Sequence, residues 1–205
     1  MQLTDSNGDE PRGKGKDGYA TDPNTALESR VRQAALDWAS RAIAYVWGGK
    51  YYHETHVTDS SRVANEHPGL VKKNGGYYAP KGTLDCSGFV QIVLHQAGVP
   101  GIPSANGHAW GSSDLYAHTK RHSNGPNAMY MDPSHKLVYR IGDILVTPGE
   151  HVVVVISAGA NPEIAECTPT GGRADGTKHW TLFYRRSGLK LRAHPWSPEH
   201  GGRFF

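Results

Sequence analysis

Hydrophobic and polar positions alternate between two periodicities along this chain, and the clearest run is Phe89-Val90-Gln91-Ile92-Val93-Leu94-His95-Gln96-Ala97-Gly98. Apolar residues at Phe89, Val90, Val93, Leu94 and Ala97 keep the three-and-four spacing of a buried helical face, and Gly98 suits the left-handed residue just past a helix end. An earlier helix is predicted from Leu27, Val31, Ala34, Ala35, Trp38 and Ala42; it starts from a cap at Asn24 or Thr25 and runs to about Ile43. Tyr45-Val46-Trp47-Gly48-Gly49 stops it, and paired glycines there let backbone pass close to another element. The second half of the chain reads as strands. Leu137-Val138-Tyr139 and Ile141 to Val146 are strand material, Thr147-Pro148-Gly149-Glu150 is a turn, and His151 to Ile156 is so rich in β-branched residues that burial on both faces follows. Glu163 to Cys167 is the next strand, reached through a hairpin-like connection at Gly159 to Pro162, and Trp180 to Arg186 is a further one.

Between these elements lie two long polar segments without sustained period, residues 50–82 and 99–139; they read as loop insertions of the binding or lid kind, the second holding a short helix around Ser113 to Lys120. Residues 1–24 are too polar to offset ordering entropy and read as a disordered leader or linker. One domain is expected over residues 25–188, followed by an irregular basic tail over residues 189–205. Helices first and strands afterwards predict an α+β architecture, an antiparallel sheet with helices on one side.

Composition narrows the function. With 205 residues and 37% hydrophobic content the chain can build one core. The net charge of +3 is uneven, since residues 173–205 carry seven Lys or Arg against two acids. That skew suits an anionic polymer or a solvated basic tail, and no nucleic-acid partner is assigned to it. Two cysteines are too few for a disulfide scaffold and form no CxxC zinc pair; a bridge between Cys86 and Cys167 is open, but chemistry on one of them fits better. No apolar run reaches the roughly eighteen residues of a membrane span, and the N-terminus lacks a signal-peptide pattern. Export would then use another route, or the chain was cut from something longer. Of the twelve histidines, His53 with His56 and His118 with His122 have metal-like spacing, yet no acid or cysteine completes either set. No metal or cofactor is expected.

The chemistry centres on Cys86. Its Asp85-Cys86-Ser87-Gly88 turn opens the clearest helix, where unpaired backbone N–H groups favour a thiolate over a thiol; the competing reading is a buried structural cysteine. A thiolate nucleophile needs a base, and the base an orienting partner. His151 opens the buried strand, and Glu166 on the next strand is the polar side chain placed to accept from the far ring nitrogen. A register slipped by one would present Cys167 to His151 instead. Trp47 reads as a core aromatic or a groove residue; His108 and Trp110 read as groove-lining or as exposed loop residues.

Taken together, Asp85-Cys86-Ser87-Gly88-Phe89-Val90, the preceding Tyr45-Val46-Trp47-Gly48-Gly49 and the following Ile141-Gly142-Asp143-Ile144-Leu145 and His151-Val152 resemble the NlpC-type cell-wall peptidases. The resemblance covers about residues 26–186. It implies a papain-like fold, helices packed on a central antiparallel sheet, in a cysteine endopeptidase or amidase that cuts peptidoglycan stem peptides. It implies Cys86 as nucleophile, His151 as base, Glu166 as third residue, and Tyr45 with the Cys86 N–H as oxyanion donors. Asp85 and Ser87 would shape the nucleophile turn and contact substrate, with Trp47, His108 and Trp110 nearby. Two departures stand out: the family's third residue is usually His, Asn or Gln, and four valines follow His151 where a glycine is common. The implied setting is the cell wall or periplasm, reached by a phage, by a contact-dependent secretion apparatus, or as part of an exported hydrolase. The implied enzyme is a monomer, with an immunity or delivery protein as a further partner. Two rivals are a wall-binding module with a silent site and a papain-like acyltransferase.

Overall fold

The computed structural model of the chain describes residues 23–41, 43–122, 129–130, 139–159, 162–169, 177–181 and 200–204. Helix α1 (Pro23–Ala39) begins earlier and ends earlier than its periodicity predicts. Pro23 stands in the first turn, where its missing N–H would be unpaired anyway. Thr25 and Asn24 therefore lie inside the helix, and only residues 1–22 of the expected leader fall outside the described residues. At the other end Arg41 N–H bonds the Trp38 carbonyl at 3.2 Å in a tightened last turn, and Ile43 is buried as coil.

The expected loop over residues 50–82 is a small structured unit. Strand β1 (Thr55–Thr58), helix α2 (Ser61–Glu66), strand β2 (Val71–Lys73) and strand β3 (Gly76–Ala79) make up a three-stranded antiparallel sheet in the order β1-β3-β2 with one short helix. Its strands are only three or four residues long, with burial that does not alternate residue by residue, so they carry no period that a sequence pattern could reveal.

Helix α3 (Cys86–Ala97) is the buried centre of the chain. Every residue from Cys86 to Leu94 is buried, and Gly98 ends the helix at φ 79°, the left-handed cap its sequence calls for. Helix α1 packs along α3 and is tied to it by Arg30 Nε to the Ala97 carbonyl at 2.8 Å and Trp38 Nε1 to Gln96 Oε1 at 2.6 Å. Helix α4 (Ser112–His122) falls where a short helix is expected.

Strands β4 (Met129–Tyr130), β5 (Ile144–Thr147), β6 (His151–Val155), β7 (Glu163–Cys167), β8 (Thr177–Thr181) and β9 (His200–Gly202) form one antiparallel sheet in the order β4-β9-β5-β6-β7-β8. The chain is α+β, as its order of elements predicts. Val152, Val153, Val154 and Val155 are fully buried, which explains their unbroken apolar run; each contributes roughly 2 kcal/mol relative to an exposed position. Val152 and Val154 join the cluster under α1 and α3, while Val153 and Val155 join Tyr139, Leu145 and Ile164 on the other face.

Three boundaries need correction. Residues 141–143 form a turn before β5 instead of its first residues, and Tyr139 makes only an isolated bridge to Gly159, with 137–138 outside the described residues. The strand expected at 180–186 is β8 from Thr177, residues 182–186 lying outside the description. The tail expected to be irregular supplies β9, inserted between β4 and β5. Gly201 and Gly202 hide it from a propensity reading, and Arg203 anchors it by a bidentate pair to Asp143, at 2.7 Å from each oxygen. Among the described residues no helix is long and apolar enough to cross a membrane.

Candidate active site

The backbone around Cys86 is built by the Tyr45-to-Lys50 segment. Leu84 accepts from Val46 N–H at 3.0 Å and donates to the Ala44 carbonyl at 3.1 Å, and Asp85 N–H bonds the Gly49 carbonyl at 2.9 Å. The approach is so close that a side chain on Gly49 would meet Leu84 N at 2.9 Å, and one on Gly88 would meet the Gly49 carbonyl at 2.5 Å. Gly49 and Gly88 are thus required by the close packing of this segment on the helix start.

Asp85 is the N-cap of α3: its backbone is extended, and Oδ1 accepts the Gly88 N–H at 2.6 Å. Cys86 follows as the first helical residue, among N–H groups that a helix leaves unpaired. Its sulfur lies 4.0 Å from the Glu150 carbonyl, at the turn joining β5 to β6. The next residue is His151, whose ring interacts with Cys86 on one side and holds Glu166 on the other, Nε2 to Oε2 at 2.7 Å. The β6–β7 register pairs Val154 with Ala165, which sets Glu166 diagonal to His151 on one face. Cys167 points to the other face, where its thiol bonds the Leu84 carbonyl at 3.4 Å. The register alternative is therefore resolved in favour of Glu166, and both cysteines are free thiols.

Burial by itself pushes the His151 pKa down, but the hydrogen bonds to Cys86 and Glu166 and their charges outweigh it, and the imidazole is pushed up to about 9. The ring is then a cation at neutral pH, between a sulfur and a carboxylate. Tyr45 is half-buried near the sulfur; burial first, then negative charge at Cys86, Asp85 and Cys167, raises its pKa far above the ordinary phenol value. It stays a neutral donor at any working pH.

A cleft of about 250 Å³ opens beside Cys86, lined by Trp47, Lys50, Asp85, Ser87, Trp110 and residues 109, 111–113 and 149–150. Trp47 and Trp110 thus line the groove, and Trp47 is stacked on His67 with ring centroids 4.0 Å apart. Asp85 and Ser87 also line it, although both are buried and engaged by partners inside the protein. His108 is exposed and lies outside the lining; its carbonyl accepts from Gln91 Nε2 at 2.6 Å. His56 bonds Asp59 at 2.8 Å and takes no part in the cleft.

Two residues escape a sequence reading. Gln91, fully buried on α3, accepts the Trp110 N–H at 2.9 Å, and Lys50 Nζ donates to the Trp110 carbonyl at 3.1 Å. Both backbone groups of the groove tryptophan are therefore fixed by polar side chains from the nucleophile's own surroundings. A glutamine inside the apolar run from Phe89 to Leu94 is a visible sign; Lys50 offers no comparable sign in the sequence. Comparison of the chain with protein-family models, curated proteins and solved structures finds no match.

Proposed function

We propose that this chain is a papain-like cysteine peptidase or amidase of the NlpC type, cutting an amide bond in the stem peptide of peptidoglycan. The observation that carries the reading is the line of three side chains: Cys86 at a helix start, His151 interacting with it, and buried Glu166 2.7 Å from the far ring nitrogen. Nucleophile, base and orienter in this order are the arrangement thiol hydrolases need.

With Nε2 bound to Glu166, Nδ1 is the nitrogen left to exchange a proton with sulfur. His151 already holds the proton, and the sulfur, paired with it as a thiolate, attacks the amide carbon. The oxyanion accepts from the Cys86 N–H and the Tyr45 hydroxyl, each donor being worth about 3 kcal/mol in the transition state. His151 returns its proton to the amine as the C–N bond breaks, leaving a thioester. Water, giving its proton to His151, adds to that thioester; the C–S bond breaks and the thiolate–imidazolium pair is restored. The site would act in the cell wall or periplasm on a monomeric enzyme, an immunity or delivery protein being a further partner.

Defined muropeptides incubated with the wild type and with Cys86→Ala test this. The reading predicts wild-type products that carry a new carboxylate and a new amine within the stem peptide, and none from the variant. Absence of cleavage with every stem-peptide chemistry would contradict it and favour a binding module. Transfer of the acyl group to an added amine, without hydrolysis, would favour the acyltransferase.

A further inference from the structure

The floor of the cleft beside Cys86 holds an ion pair that is complete without any ligand. Lys50 is only 5% exposed, and its Nζ lies 3.0 and 3.1 Å from the two Asp85 oxygens, 2.7 Å from Ser87 Oγ and 3.1 Å from the Trp110 carbonyl. An ammonium has three donors, so these acceptors exhaust it. Asp85 is as fully committed. Its Oδ1 also accepts the Ser87 hydroxyl at 2.9 Å and the Gly88 N–H at 2.6 Å, and its Oδ2 accepts the Gly48 N–H at 3.2 Å.

An acid and a hydroxyl on either side of a nucleophile would by themselves form a receptor for an ammonium group. In this chain the ammonium is built in. A substrate cation reaching Asp85 and Ser87 meets a like charge and finds their oxygens already engaged, whereas the two tryptophans lining the cleft, Trp47 and Trp110, suit a neutral peptide.

We infer that Lys50 is a specificity-determining residue: it fills the anionic subsite beside Cys86, so the cleft selects peptides whose amino end near the scissile bond is held in an amide and rejects those with a free ammonium there. This rests on the hydrolase reading and names its substrate class, stem peptides still acylated at their amino end.

Two stem peptides that differ only in acetylation of the amino terminus test it. Their affinities for the Cys86→Ala protein are measured by calorimetry and their cleavage by the wild-type active site is followed in parallel. The acetylated peptide should bind at least about tenfold more tightly, and its advantage in kcat/KM should lie in KM. Lys50→Met, close in shape but neutral, uncovers Asp85 and should shrink or reverse the ratio by about tenfold or more, with Lys50→Gln as the second variant should the first fail to fold. A merely structural lysine would weaken both peptides alike and leave the ratio unchanged. Equal binding of the two peptides, tighter binding of the free amine, or an unchanged ratio in the folded variant would overturn the inference. Because binding to Cys86→Ala needs no turnover, failure of the hydrolase reading would appear separately, as two peptides that bind and are not cut.

Discussion

Nε2 of His151 lies 2.7 Å from Oε2 of Glu166, and that carboxylate has no exposure to solvent. A buried carboxylate is costly unless a cation faces it, and the imidazolium supplies one. Glu166 thereby fixes the ring's orientation and the nitrogen that carries each proton. Replacing it by Gln keeps the shape but removes the charge, and kcat should fall roughly 10²–10⁴-fold, as when a triad acid is neutralised. Steady-state kinetics on a muropeptide substrate checks this.

The pH profile should follow the same ring. Above about 9 His151 loses its proton, and with it both the counter-cation of the thiolate and the acid for the leaving amine. The alkaline limb of kcat/KM should therefore fall near pH 9 in the wild type and shift to lower pH in Glu166→Gln, where one of the interactions raising the pKa is gone.

Stability has a defined sign as well. The folded-state pKa of His151 is raised from 6.5 to about 9, so its contribution is fully present below pH 6.5 and is lost as pH rises through about 9. Urea unfolding of wild type and His151→Ala at intervals from pH 6 to 10 should show the difference between them shrinking across that window. A difference that grows with pH would reverse the assignment of charges.

Trp110 and His108 separate a groove residue from a neighbour in sequence. Trp110 lines the cleft with both backbone groups fixed, whereas His108 is exposed and outside it. Trp110→Ala should lower kcat/KM by about tenfold or more, and His108→Ala should leave it within about twofold. Kinetics of the two variants side by side distinguishes them.

The C-terminal strand should matter to stability out of proportion to its three residues. Arg203 is the bidentate partner of Asp143, which is 2% exposed. Among the described residues, Arg203→Ala leaves that acid with the Arg140 N–H and no facing guanidinium, a loss of about 3 kcal/mol to be read from urea unfolding near neutral pH.

How much of this was legible in the sequence depends on how each element reports itself. Helix α3 and strand β6 announce themselves because most of their residues are apolar and buried, and the bounds of Glu163 to Cys167 can be read because turn residues flank it. The Cys86, His151 and Glu166 convergence could be read because a helix start and two hairpin-paired strands leave few other placements. The small sheet at 55–79 could not, since strands of three and four residues are too short to carry a period, nor could β9, whose glycines read as loop. Lys50 was illegible for a different reason. Its partners Asp85 and Ser87 lie 35 and 37 positions away, and only the fold brings its ammonium to them.

Alkylation of the folded protein by iodoacetamide near neutral pH, followed by peptide mass mapping, tests the centre of this account most directly. Cys86 in its cleft beside the His151 cation should be modified while fully buried Cys167 is not, and His151→Ala should slow the reaction by about tenfold or more. Modification of Cys167 ahead of Cys86, or a rate at Cys86 indifferent to His151, would contradict it.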